Sequence, residues 1–86
     1  MFCIEGLKDY VKIYTITDPK PLLSLMSLKQ LEEELPYDNF IRVHRSYIIN
    51  MEKITSINKN RIIISNKEIP IGDTYRKQFM AIIDKR

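Results

Sequence analysis

The stretch Phe40-Ile41-Arg42-Val43-His44-Arg45-Ser46-Tyr47-Ile48-Ile49-Asn50 is the most densely patterned part of this 86-residue chain. Apolar and polar residues interleave in it, and basic side chains concentrate at its centre. Arg42 alternates there with Ile41 and Val43, as residues of a strand do. The composition of the whole chain also indicates β structure, because its five Tyr, three Phe and many β-branched residues favour strands.

Further strands are predicted upstream of this stretch. Residues 2–5 have the pattern of the end of a strand, and residues 6–9, with a Gly and an Asp, that of a tight turn. Residues 10–17 alternate in polarity and predict a second strand. Asp18-Pro19-Lys20-Pro21 is expected to break that strand, and residues 22–25 are expected to form a short returning strand.

A short central helix is predicted next. Ser27-Leu28-Lys29-Gln30 has the form of a capping box, in which the Ser accepts from the first turn and the Gln reaches back. Glutamates 32–34 would face water, and the helix is expected to stop at Pro36. The leucines at helical spacing are Leu28, Leu31 and Leu35.

Two hairpins are predicted downstream of the basic stretch. Residues 52–58 and 61–65 are expected to pair over a turn at Lys59-Asn60. A second turn is expected at Asn66-Lys67, leading into residues 68–71. Both turns contain Asn, which tolerates left-handed backbone conformations.

The last segment predicts a C-terminal helix. Asp73 is expected to cap a helix that runs from Thr74 to about Ile83. The residues expected to form its buried stripe are Tyr75, Phe79, Ile82 and Ile83. The sequence therefore predicts a single mainly β domain over residues 1–86, with one short central helix and one C-terminal helix.

Positive charge concentrates in the middle third of the chain. The net charge is +3; four acids and no base lie between Glu32 and Asp38, whereas five bases and one acid lie between Arg42 and Arg61. A phosphate-binding face needs such a concentration, although charge alone indicates only an ordinary solvated surface.

The composition argues against an enzyme. The chain has one His, one Cys, no Gly-rich phosphate loop and no metal-ligand spacing, so we expect no catalytic site, no metal and no cofactor. With Cys3 alone no intrachain disulfide can form, and a reducing cytoplasm is the expected compartment. No apolar run approaches the twenty or so residues that a membrane span needs.

Three stretches together resemble a known family, the LytTR DNA-binding domain. They are residues 4–14, the basic stretch at 40–50 and residues 69–76, in the family's order and spacing. The middle motif, Phe-x-Arg-x-His-Arg-Ser-Tyr-x-x-Asn, is long and specific. The family's domain usually begins one strand earlier, so the chain resembles a shortened domain. In response regulators a phosphorylation-receiver domain commonly precedes this module, and the resemblance leads us to expect that these 86 residues do not include it.

The resemblance implies an elongated, mostly antiparallel β fold that binds double-stranded DNA through loops at one edge. Position by position, it implies three contacting segments. The first loop is Lys8-Asp9-Tyr10 continuing to Lys12, the second is His44-Arg45-Ser46, and the third is the Gly72-Asp73-Thr74 junction with Arg76 and Lys77 behind it.

The chemistry of these residues suits such contacts. Arg45 could lie bidentate on a guanine edge or sit in a narrow minor groove. His44 and Ser46 are short donors that suit phosphate oxygens. The backbone N–H groups at the start of the last helix, with Arg76 and Lys77, would suit a phosphate. Many family members carry Ser and then a base where this chain has Gly72-Asp73, so a base contact from the third segment is doubtful.

Several residues keep more than one interpretation. Arg42 alternates with its apolar neighbours, so a salt bridge to an acid on a neighbouring strand and a phosphate contact are equally compatible with it. His44 alone would usually be structural, and Asn50 is interpreted as a turn former. Cys3 is interpreted as a small buried hydrophobe. Tyr47 is expected in the core or on the sheet surface.

Two functions compete with duplex binding. A small β module could bind RNA or a single strand, with Tyr10, Tyr14 and Tyr47 as stacking platforms. A protein-interaction module could present its basic strip to an acidic partner. The preferred hypothesis is duplex recognition on direct repeats about one helical turn apart. The chain is expected to be a monomer in isolation and to dimerise on DNA or through a receiver domain.

Overall fold

The computed structural model describes residues 2–35 and 39–85. Its α-helices are α1 (Leu28–Glu34) and α2 (Asp73–Asp84), and a single 3-10 turn spans Met51–Lys53. The strands are β1 (Cys3–Gly6), β2 (Val11–Thr15), β3 (Asp18–Ser24), β4 (Phe40–His44), β5 (Tyr47–Asn50), β6 (Ile54–Asn58), β7 (Arg61–Ile64) and β8 (Lys67–Pro70). The described part measures 33 × 24 × 21 Å along its principal axes.

The larger sheet has five strands in the order β3-β2-β1-β5-β4, with antiparallel neighbours throughout. Glu5 on β1 lies opposite Tyr47 on β5 and opposite Lys12 on β2. The turn that follows β1 and the turn that precedes β5 therefore lie at the same end of the sheet, which we call the loop end.

The second sheet is antiparallel, in the order β6-β7-β8. Successive residues of β1 point to opposite faces of the larger sheet. Cys3 accordingly packs with Ile62 of the second sheet and Phe79 of α2, whereas Ile4 packs with Leu28 of α1. The larger sheet is thus covered on both faces, by α1 on one side and by the second sheet with α2 on the other.

The helices agree closely with the sequence predictions. Ser27 and Gln30 form the predicted capping box, with the Gln30 N–H donating to Ser27 Oγ at 3.1 Å. Leu28 and Leu31 are buried as expected. The predicted stop at Pro36 lies outside the described residues, but α1 has already ended at Glu34. In α2 it is Phe79 that is completely buried.

Several strand predictions were wrong in their limits, and the strand predicted over residues 52–58 begins only at Ile54, after the 3-10 turn. The segment with Pro19 and Pro21 was expected to separate two strands. It belongs instead to β3, because the turn lies earlier, at residues 16 and 17. β3 is the edge of its sheet, where a residue without an N–H is tolerated. The second hairpin turns at Ser65-Asn66, one residue earlier than predicted, and both residues have positive φ, 49° and 66°.

Candidate nucleic-acid interface

Backbone hydrogen bonds bring the three predicted segments together at the loop end. The Gly6 N–H donates to the Ser46 carbonyl at 2.7 Å, which joins the start of the first loop to the second. The Gly72 N–H donates to the Val43 carbonyl at 2.8 Å, which joins the third segment to the end of β4. The second loop therefore lies between the other two.

Arg42 holds the backbone of the second loop in place. Its Nε donates to the His44 carbonyl at 3.3 Å, and its Nη2 donates to the Arg45 carbonyl. Its Nη1 forms a salt bridge with Glu32 of α1 at 3.1 Å, and the Arg42 side chain is 19% exposed. The guanidinium also lies 5.7 Å from the centre of the Tyr75 ring. Arg42 is therefore a positioning residue. One interpretation of the sequence expected its carboxylate partner on a neighbouring strand, but the partner, Glu32, is on α1.

The imidazole of His44 is part of the same turn. The Ser46 N–H donates to His44 Nδ1 at 3.1 Å, so the neutral ring carries its proton on Nε2. The ring meets Tyr47 edge-on, with centroids 5.6 Å apart. Gly72 packs against it closely, since a Cβ on Gly72 would lie 3.5 Å from His44 Cδ2. His44 is half-buried, so it both shapes the loop and reaches its surface.

Arg45 is the exposed tip of the second loop, and Ser46 beside it is half-buried. Because the Arg45 carbonyl is held by Arg42, the backbone from which the Arg45 side chain projects is fixed. A fixed backbone removes the backbone part of the entropy cost of binding, while the Arg45 side chain still becomes ordered when it binds.

The first loop is held by its backbone. The Leu7 N–H donates to the Tyr10 carbonyl at 2.8 Å, which closes the turn. Lys8 and Asp9 are exposed at its tip, and Tyr10 is half-buried. Lys12 is in β2 and not in the loop, opposite Glu5 and Leu23 in the two flanking strands.

A carboxylate next to the first loop anchors two tyrosines. Glu5 accepts from the Tyr14 hydroxyl at 3.1 Å through Oε1 and from the Tyr47 hydroxyl at 3.3 Å through Oε2. Burial, together with this carboxylate, raises the pKa of Tyr14 to about 12 and also raises the pKa of Tyr47. Both phenols therefore remain protonated donors near neutral pH. Through Tyr47 the network extends to His44 in the second loop.

The third segment corrects one sequence prediction. Asp73 is the first residue of α2, and the N-cap is Gly72, which makes no side-chain cap hydrogen bond. Asp73 stands one position too late to cap, although its charge suits the first turn of a helix. It is exposed, as are Thr74 and Lys77, while Arg76 is half-buried. The structure thus leaves a carboxylate at the surface of this segment, ahead of its two bases.

Arg42 is the functional residue that the sequence interpretation left undecided. Alternation places it on the same face of β4 as Phe40, and Phe40 packs on the core that α1 covers. The register shift between Arg42 and His44 pairs His44 with Tyr47 and ends this alternation. The acidic run of α1 offered candidate partners in the sequence, and the packing of α1 on this face selects Glu32 among them. Within residues 2–35 and 39–85, no three His, Cys, Asp or Glu side chains cluster as metal ligands. In the same part of the chain, no helix is long and apolar enough to cross a membrane.

Comparison with known proteins decides the family. The sequence profile of the LytTr DNA-binding domain matches residues 1–84. The chain belongs to the LytTr DNA-binding domain family. It is 31% identical over 84 residues to the sensory transduction protein LytT of Bacillus subtilis. The aligned region covers 91% of this chain and 32% of LytT. Against LytT of Bacillus anthracis the identity is 36% over 59 residues, covering 62% of this chain and 24% of that protein.

The fold agrees with this assignment. A LytTr DNA-binding domain from Bacillus cereus superposes with a TM-score of 0.81 at 24% identity, covering 95% of this chain and 79% of that one. The predicted mostly antiparallel fold with two helices is confirmed by that match. The chain spans about a third or less of the length of the LytT proteins that it matches.

Proposed function

We propose that this chain binds double-stranded DNA sequence-specifically through the loop end of its larger sheet. The observation that carries the proposal is the arrangement of the second loop. Arg45 projects there from a turn whose carbonyls are held by Arg42, and backbone hydrogen bonds place the first and third segments on either side. Narrow, rigid tips of this kind can enter the grooves of a duplex.

The second and third segments take roles that follow from their chemistry. Arg45 reads a base edge, by bidentate donation to guanine or by insertion into a narrow minor groove. His44 Nε2 and the Ser46 hydroxyl donate to phosphate oxygens, which fix the register. In the third segment Arg76 and Lys77 contact phosphates, while the exposed carboxylate of Asp73 makes a contact from that residue to a phosphate unfavourable.

The tyrosines favour a duplex over a single strand. Stacking on unpaired bases needs free aromatic faces. Tyr14 is instead hydrogen-bonded to Glu5, and its ring lies beneath the Lys67 ammonium, 4.4 Å from the centroid. Tyr47 shares Glu5 and packs against His44. Of the three candidate platforms, two are thus committed to the fold.

The regulatory setting is part of the proposal. The relatives that match are sensory transduction proteins of which this chain spans about a third or less. We infer that the chain acts in the bacterial cytoplasm as the DNA-binding output module of a two-component regulator. Copies would bind direct repeats about one helical turn apart, each copy being a monomer without DNA.

Selection from a random duplex pool tests the proposal. Duplexes bound by the chain at low salt are recovered, sequenced and measured again at higher salt as duplexes and as separated strands. The expected result is a shared motif, bound more tightly as a duplex than as either strand. Recovery of unrelated sequences, or tighter binding to the single strands, would contradict it. An absence of DNA binding at low salt would favour the protein-interaction module.

A further inference from the structure

A basic cleft lies beside the first two loops, on the side of the larger sheet that α1 covers. It is shallow and largely open to solvent, with a volume of about 420 Å³, and it is lined by the end of β1 with the first loop, the second loop and the start of α1. The start of α1 packs directly on the sheet here, because a Cβ on Gly6 would lie only 3.1 Å from Leu28 Cβ. A side chain at position 6 would crowd Leu28, so a glycine suits this close approach of the helix.

Among the described residues, four cations and no acid line the cleft. Lys8 comes from the first loop, Arg45 from the second and Lys29 from α1, while the fourth, Arg42, is already paired with Glu32. Lys8, Lys29 and Arg45 are all exposed. Within residues 2–35 and 39–85 none of these three forms a salt bridge, so three positive side chains from three separate segments line one surface.

The charged residues of α1 are arranged unfavourably for the helix dipole. Its first turn contains no acid, its last turn contains no base, and its glutamates lie at the C-terminal end. The dipole favours the reverse order, so Lys29 gains nothing for helix stability at its position. A base at that position does, however, complete the positive lining of the cleft.

We propose that the cleft binds a backbone phosphate of the DNA duplex, with Lys29 and Lys8 as its cationic ligands. The phosphate lies next to the base pair that Arg45 reads. The interface then extends beyond the loops onto the first turn of α1, and Lys29 is a DNA-binding residue. This inference rests on the proposed duplex binding and adds a contact to it.

The test compares Lys29→Ala with Lys53→Ala. Lys53 is also exposed and carries the same charge, but it follows β5 at the end of the sheet opposite the loops, so it controls for net charge. Affinity is measured against salt for a selected duplex and for a scrambled one. Lys29→Ala should bind both duplexes about tenfold more weakly at about 50 mM salt and about threefold more weakly at about 200 mM. Its salt slope should be lower by about one unit, and Lys53→Ala should behave as the unmodified chain.

Lys29→Arg should restore the slope, and thermal unfolding of each variant checks that it is folded. If the unmodified chain binds DNA and Lys29→Ala has the same affinity and slope, the cleft proposal is wrong and duplex binding stands. Equal losses in Lys29→Ala and Lys53→Ala, or a loss confined to one duplex sequence, would also overturn it. If the unmodified chain binds no duplex, both proposals fail together.

Discussion

The first and second loops lie side by side at the same end of the sheet but are held in different ways. In the second loop, one arginine side chain donates to two carbonyls and one imidazole accepts from a backbone N–H. In the first, a single backbone hydrogen bond from Leu7 to Tyr10 closes the turn. The hydrogen bond between Gly6 and Ser46 connects the two.

This difference indicates a division of work between the loops. Reading a base edge needs a side chain fixed to within a fraction of an ångström, and a turn held by side chains supplies that precision. A phosphate contact tolerates more movement because it is largely electrostatic. We therefore expect the second loop to carry sequence preference and the first loop, with Lys8, to carry affinity that is independent of sequence.

Removal of the Arg45 side chain should have the largest effect. Arg45→Ala is expected to weaken binding to the selected duplex by about 1–3 kcal/mol and to blur the preference at one base position. Lys8→Ala, the matched change in the first loop, should weaken all duplexes alike. Titrations against single-base variants of the selected duplex measure both effects. Equal preference in Arg45→Ala and the unmodified chain would contradict the division of work.

Removal of Arg42 should break the support of the second loop. Arg42→Ala loses the Glu32 salt bridge and both carbonyl contacts, and the half-buried pair should cost about 1–2 kcal/mol of unfolding free energy. Sequence preference should fall although Arg45 is intact. Denaturant unfolding and the same duplex titrations provide the measurements. A variant that loses stability but keeps full preference would show that the loop does not depend on Arg42.

The tyrosine pair next to the loops predicts a smaller effect at high pH. Because the pKa of Tyr14 in the folded chain, about 12, lies above its ordinary value of 10.0, the neutral phenol stabilises the fold below pH 10. That contribution should be lost as the pH rises through about 12. Unfolding midpoints followed with pH should fall less for Tyr14→Phe than for the unmodified chain. Parallel curves would mean that the pKa of Tyr14 is not raised in the folded chain.

Much of the fold could be predicted because local patterns agree with the tertiary structure. The capping box of α1 and the turn at Lys59-Asn60 depend on residues close in sequence. The strand limits at β3 were missed because a proline's effect depends on whether its strand lies at an edge, and sheet order is not a local property. The prediction that Asp73 caps α2 was wrong because the helix begins one residue earlier than predicted. A shift of one residue moves a capping side chain out of reach of the first backbone N–H groups of the helix.

The candidate site could be placed only in part. The segments at 8–12, 44–46 and 72–77 came from the family resemblance, and their roles in DNA binding stay predictions. The role of Arg42, and the role proposed for Lys29, could not be predicted from the sequence, because each depends on how α1 packs against the larger sheet. Glu32 and Arg42 are ten residues apart, and Lys29 and Arg45 are sixteen apart, so no local pattern relates them.

Amide chemical-shift mapping during titration with the selected duplex tests the central claim most directly. The loop end should carry the interface, so the large shifts should fall in residues 7–10, 44–46 and 72–77. Amides at the opposite end, around Lys53 and the Ser65-Asn66 turn, should hardly move. Large shifts at that opposite end, with the second loop unaffected, would contradict the account.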